Sequence, residues 1–119
     1  MLKKIVLSFF TILSFSIIAS PFFVYAEDVW AYTYPSGMQA YIDTDRSSKD
    51  TYGGRMFIFV KNVYNNKVYS KIEYTFCYDE GEWRYGYRYG GKGSFNAGGT
   101  VYGNAAVLNI LDKAREIYK

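Results

Sequence analysis

RMFIFVKNVYNNKVYSKIEYTFCYDEGEWRYGYRY, residues 55–89, is the stretch whose reading decides the fold. Its apolar and aromatic residues recur at every second position, the period of a half-buried strand rather than of a helix. Asn65 and Asn66 interrupt the alternation with two residues that tolerate a left-handed backbone. Arg55 to Tyr64 and Lys67 to Tyr78 are therefore expected to pair as a hairpin. Val68, Ile72, Tyr74 and Phe76 belong to its core face, and Lys71, Glu73 and Thr75 to a wetter one. Asp79-Glu80-Gly81 has the composition of a type I turn closed by a left-handed glycine, which returns the chain into Glu82 to Tyr89 as a third antiparallel strand.

Outward from this centre the signals weaken. Upstream, Val29 to Thr33 and Met38 to Asp43 read as two strands around the turn Tyr34-Pro35-Ser36-Gly37, and the polar stretch Thr44 to Gly54 reads as a loop. Downstream, the glycine-dense run Gly86 to Gly103 reads as a loop with one short strand around Thr100 to Tyr102. The C-terminus changes period: Val107, Leu108, Ile110, Leu111, Ala114, Ile117 and Tyr118 fall at helical spacing, with Asn104 available as a cap. Lys113, Arg115 and Lys119 lie toward the end where cations suit the helix dipole. The expected fold is α+β: a four- or five-stranded antiparallel sheet with one C-terminal helix packed on one face, preceded by a signal peptide.

The signal peptide is read from residues 1–26. Lys3 and Lys4 form a positive start, Ile5 to Ile18 an apolar centre, and Val24-Tyr25-Ala26 a small-residue cleavage site after Pro21. The alternative is a retained anchor, because Ile5 to Tyr25 is nearly long enough to span a bilayer. Cleavage is expected after Ala26, leaving no stable membrane span. Of the 119 residues, 93 then remain as residues 27–119, which is one aromatic-rich domain. Of the 14 basic side chains, Lys3 and Lys4 leave with the leader, so 12 face 11 acidic ones and no nucleic-acid footprint is expected. Export implies a secreted, periplasmic or cell-surface location. Cys77 is the single cysteine, so no internal disulfide is available; a buried small hydrophobe is its expected role, with an intermolecular disulfide as the alternative.

The chain has no histidine, which removes the commonest general base, nucleophile activator and zinc ligand together. Asp43 with Asp45, or Asp79 with Glu80 and Glu82, are the carboxylates available to a glycosidase, but at strand ends and turns they read as solvated turn formers. Asp43-Thr44-Asp45 with Asp50 lacks the spacing of a calcium loop. Gly86 to Lys92 superficially matches a phosphate loop, but Gly93 stands where a serine or threonine is needed. No enzyme activity, cofactor or metal is expected. The remaining constellation is Trp83-Arg84-Tyr85-Gly86-Tyr87-Arg88-Tyr89: alternation puts Trp83, Tyr85, Tyr87 and Tyr89 on one face and Arg84 and Arg88 on the other. Exposed, this ladder can stack on sugars or anchor a protein interface. Beneath the helix, it is core.

Trp30 opening the first strand, Tyr41-Ile42-Asp43-Thr44 ending the second, Val63-Tyr64 ending a hairpin strand, the leader and the terminal helix together resemble the surface-adhesin protein E family. The resemblance spans nearly all of residues 27–119 and implies a binding protein at the cell surface, with a sheet backed by a C-terminal helix. The family's lipidation cysteine and cysteine pair have no counterpart here. The expected function is that of an exported, non-catalytic, adhesin-like binding protein with a protein or glycan partner outside the cytoplasm, self-associating through a sheet face or edge strand. The alternative is a secreted inhibitor or small carbohydrate-binding module using the aromatic face.

Overall fold

The computed structural model describes residues 28–50 and 54–119; residues 1–26, expected to be a signal peptide, lie outside them. Among the described residues six strands form one antiparallel meander, each paired with its neighbours in sequence: β1 (Asp28–Thr33), β2 (Gln39–Asp50), β3 (Arg55–Tyr64), β4 (Lys67–Asp79), β5 (Glu82–Tyr89) and β6 (Asn96–Thr100). A 3-10 turn, Val101–Gly103, leads into the helix α1, Ala105–Ile117. The expected four or five strands are thus six, with one C-terminal helix as expected. Among the described residues no helix is long and apolar enough to cross a membrane.

The tight turns follow from their residues. Asn65 and Asn66 take φ of 51° and 62°, and Glu80 and Gly81 take 52° and 83°, so both hairpins close through two left-handed residues. At the second hairpin the expected type I turn is replaced by the two-residue form, which pairs Asp79 directly with Glu82. Asn104 caps α1, its Oδ1 accepting from the Val107 N–H at 3.1 Å.

Two segments expected as loops are strands. β2 continues to Asp50 across a bulge between Asp43 and Ser48. Ser47 makes the continuation workable: its hydroxyl donates to the Asp43 carbonyl at 2.7 Å and accepts from the Phe59 N–H at 2.9 Å, replacing ladder bonds that the bulge removes. β6 pairs with β5 although it reads Asn-Ala-Gly-Gly-Thr; of the short strand expected around Thr100 to Tyr102, Thr100 is extended, while Val101 and Tyr102 enter the 3-10 turn. Its small residues are needed because the Tyr85 ring lies against Gly98, where any Cβ would collide with it.

Cross-strand register assigns the faces. Ile42, Val60 and Ile72 share one row, Ile58 and Tyr74 the next, and Met56 and Phe76 a third. These residues and Ala40 pack with Val107, Ile110, Leu111 and Ala114 of α1, all buried, to form the core. Val68 departs from its expected core position: a shift after Asn62 pairs it with Val63, and it is exposed. Cys77, expected to be buried, is only half-buried, because it shares the parity of Lys71, Glu73 and Thr75 and lies opposite Arg55 and Arg84. The sheet curves strongly around the helix. Tyr34, at the end of β1, lies within electrostatic range of Tyr89 on β5, although three strands separate β1 from β5. Bulges in the β1–β2, β2–β3, β3–β4 and β5–β6 pairings supply the bending. The helix side is therefore concave.

Candidate functional site

β5 places the aromatic ladder on the concave side, since Trp83, Tyr85, Tyr87 and Tyr89 lie opposite Tyr78, Phe76, Tyr74 and Ile72. Trp83 contacts Tyr78 edge-on at 5.5 Å and carries the Arg115 guanidinium over its ring at 5.5 Å. Trp83, Tyr85 and Tyr87 are partly buried against the core, whereas Tyr89 is 63% exposed. Arg84 and Arg88 project from the opposite, convex side. Arg84 pairs with Glu82 at 2.8 Å in solvent. Arg88 Nε donates to Glu73 Oε1 at 2.8 Å, its Nη1 donates to the Gly93 carbonyl at 2.7 Å, and its guanidinium covers the Phe95 ring at 4.4 Å. Arg88 thus pins the segment between β5 and β6 onto the sheet. The space left by Gly86 is closed by its two neighbouring strands and by Phe95 of that segment, for a Cβ there would meet Asn96 O and Thr75 Oγ1 at 3.2 Å and Phe95 Cβ at 3.6 Å. The six residues do not converge on one site.

Tyr85, Tyr87 and Tyr89 instead join tyrosines from elsewhere in the chain. Tyr74 lies 6.1 Å from Tyr85, Tyr85 lies 6.3 Å from Tyr87, and Tyr87 lies 6.0 Å from Tyr89 between ring centroids. Tyr32 and Tyr34 meet edge-on at 5.1 Å and complete the cluster from β1. Burial pushes the Tyr74 phenol well above its ordinary range, and the neighbouring Tyr34, Tyr89, Tyr85 and Tyr87 add to it. Tyr34 is raised for the same reason, with Tyr89 and Tyr32 contributing. The Tyr74 and Tyr34 hydroxyls therefore keep their protons and can both donate and accept. Asn62 belongs to the same concave floor, one row from Ile72 and in the row of Tyr32 and Ala40. Its Nδ2 donates to Ser70 Oγ at 3.1 Å, while its buried Oδ1 has no hydrogen-bond partner.

The meander explains why these rings gather. The β1–β2, β3–β4 and β5–β6 connections must all lie at one end of the sheet, and tyrosines flank each: Tyr34, Tyr64 with Tyr69, and Tyr89. Tyr64 reaches the first of these turns, lying 3.8 Å from the Cβ position of Gly37. Tyr69 is 75% exposed. The recurrence of tyrosine beside alternate turns is visible in the sequence, but its meaning depends on knowing that the strands follow one another across the sheet.

At the other end, a groove of about 580 Å³ runs beside the end of α1, with Lys49, Met56, Trp83, Asp112, Arg115 and Tyr118 on its walls. Its charges alternate in sign, and Lys49 is held by the Tyr118 carbonyl at 3.1 Å. The carboxylates considered for catalysis are dispersed. Asp43 Oδ1 accepts from the Asp45 N–H at 3.1 Å, and Asp79, Glu80 and Glu82 surround the β4–β5 turn. Among the described residues no three histidine, cysteine or acidic side chains are grouped to hold a metal ion. The chain matches no protein-family model, none of the curated proteins and none of the solved structures.

Proposed function

We propose that the chain is an exported, non-catalytic binding protein of adhesin-like character, which engages its partner through the tyrosine-bearing end of the sheet. The observation that carries this reading is the gathering of Tyr34, Tyr64, Tyr69 and Tyr89 at the three hairpin ends on that side, with Tyr69 and Tyr89 mostly in solvent. Exposed large aromatics are costly in water unless a partner covers them, and tyrosine is among the side chains enriched in binding hot spots. The basic start, apolar centre and Val24-Tyr25-Ala26 of residues 1–26 support export, and the resemblance to the surface-adhesin protein E family supports a place at the cell surface.

A glycan is the partner favoured by the open phenol faces, which offer stacking surface and hydroxyl hydrogen bonds. An inhibitor role has less support, because both two-residue turns are short and the Gly90–Phe95 segment is held back on the sheet by Arg88. Glycan-array binding by the mature domain tests the proposal. Wild type is expected to bind, and the triple change Tyr64→Ser, Tyr69→Ser, Tyr89→Ser to lose binding while keeping a cooperative thermal transition. Binding retained by the triple variant would sink the tyrosine surface, and cleavage of a bound glycan would sink the non-catalytic reading.

A further inference from the structure

The convex side of the sheet carries charges in an arrangement that its own residues leave half resolved. Asp28 and Asp43 stand directly opposite one another on β1 and β2, an unfavourable like-charge pair. Lys61 on β3 resolves it, its Nζ lying 3.0 Å and 3.3 Å from the Asp28 carboxylate oxygens and 3.8 Å from Asp43 Oδ2. The next pair is Lys61 opposite Lys71 on β4, again of like charge. No carboxylate among the described residues forms an ion pair with the Lys71 ammonium, since the neighbouring Glu73 is taken by Arg88. A third cation, Arg46, converges on the same place from the β2 bulge, its guanidinium 5.3 Å from the centre of the Phe59 ring.

Between these groups lies a cavity of about 140 Å³ lined by Asp43, Arg46, Phe59, Lys61 and Lys71. That volume is the share of roughly four or five waters, enough for one tetrahedral oxyanion with residual solvent. Asp43 is the single carboxylate on the lining, and its oxygens already face the Asp45 N–H and the Lys61 ammonium.

We infer that this cavity is a binding site for a sulfate or phosphate group, held by Arg46, Lys61 and Lys71 over the edge of Phe59. The anion does for the Lys61–Lys71 pair what Lys61 does for Asp28 and Asp43. Arginine supplies a planar fork suited to a tetrahedral oxyanion and lysine a point charge. The site lies on the face opposite the tyrosine surface and does not rest on it.

Amide NMR titration of the mature domain tests the inference, with sodium sulfate, sodium phosphate and sodium chloride compared at matched ionic strength. Sulfate or phosphate is expected to produce saturable shifts confined to Arg46, Phe59, Lys61 and Lys71. Lys71→Gln, a change at an exposed position, should weaken saturation about tenfold, the scale of one lost charge-assisted hydrogen bond. Lys71→Glu places the missing negative charge within the chain, and should raise the thermal midpoint in chloride while abolishing the saturable response. Galactose 6-sulfate against galactose then separates the sources: tighter saturation by the sulfated sugar than by inorganic sulfate marks a sulfate ester as the natural group, and the reverse order marks the free ion. Shifts that never saturate or equal those in chloride would overturn the site, as would an unchanged affinity in Lys71→Gln or a lowered midpoint in Lys71→Glu.

Discussion

The two sides of the sheet are built by the same strands and solve opposite problems. On the concave side, Ile42, Ile58, Val60, Phe76 and the helix residues Ile110 and Leu111 exclude water almost completely, and polar groups are few. On the convex side three of the buried positions are charged: Asp28, Asp43 and Glu73 are each covered and each matched by a cation. Burial of an apolar side chain is stabilising wherever the chain can achieve it, whereas burial of a carboxylate is tolerable only when its partner arrives in the right place. The concave side therefore holds the fold together, and the convex side fixes where neighbouring strands may sit.

Removing α1 is the most severe way to break that contrast. Val107, Ile110 and Leu111 are each worth about 1.5 to 3 kcal/mol when buried, against a total stability of about 5 to 15 kcal/mol for a domain. Deletion of Val107 to Lys119 is expected to abolish cooperative thermal unfolding and the near-ultraviolet circular dichroism of the packed aromatics. A truncated chain that kept both would show that the sheet needs no cover.

Adjacent residues of β4 sharpen the comparison within one strand. Phe76 is fully buried on the concave side and Cys77 half-buried on the convex one. Phe76→Ala should cost about 3 to 5 kcal/mol, and Cys77→Ser less than about 1 kcal/mol, by denaturant midpoint. Comparable losses would mean that both sides carry the core.

The smallest effect concerns pH. Burial raises the phenols of Tyr74 and Tyr34 above the value of about 10 that tyrosine has in an unfolded chain. The folded state holds these protons longer, so the stability they contribute is complete below pH 10 and declines as pH rises above 10 toward the folded values. The thermal midpoint of the wild type should fall across that alkaline range, and Tyr74→Phe should fall less steeply. An identical slope in the variant would count against burial of the Tyr74 hydroxyl.

The sequence made the middle of the fold legible where two signals coincided. Alternation from Arg55 to Tyr89 marked β3, β4 and β5, and the asparagine pair marked the turn between the first two, because both are local properties of the chain. The longer β2 and the strand β6 were hidden for a common reason. Each is stabilised by something outside its own segment, β2 by Ser47 bonding to Phe59, and β6 by the Tyr85 ring over Gly98. Parity within β4 already assigned Cys77 to the wetter side with Thr75, but its apolar neighbours masked that. The aromatic ladder was visible as a unit, while the tyrosine cluster around it was not, since Tyr32 and Tyr34 come from the opposite edge of a curved sheet.

The strand order carries a kinetic consequence. Because each strand pairs with the one made just before it, every ladder closes over a short connection, and little chain entropy stands in the way of pairing. Docking of α1 against β1 is the exception, joining the two ends of the described chain. The sheet can therefore assemble from its hairpins in any order, and the last helix acts as the latch that makes the assembled strands stay. Until that latch forms, the tyrosines of the concave side stand open to water, which makes the residues of α1 the ones that decide whether the domain folds or associates.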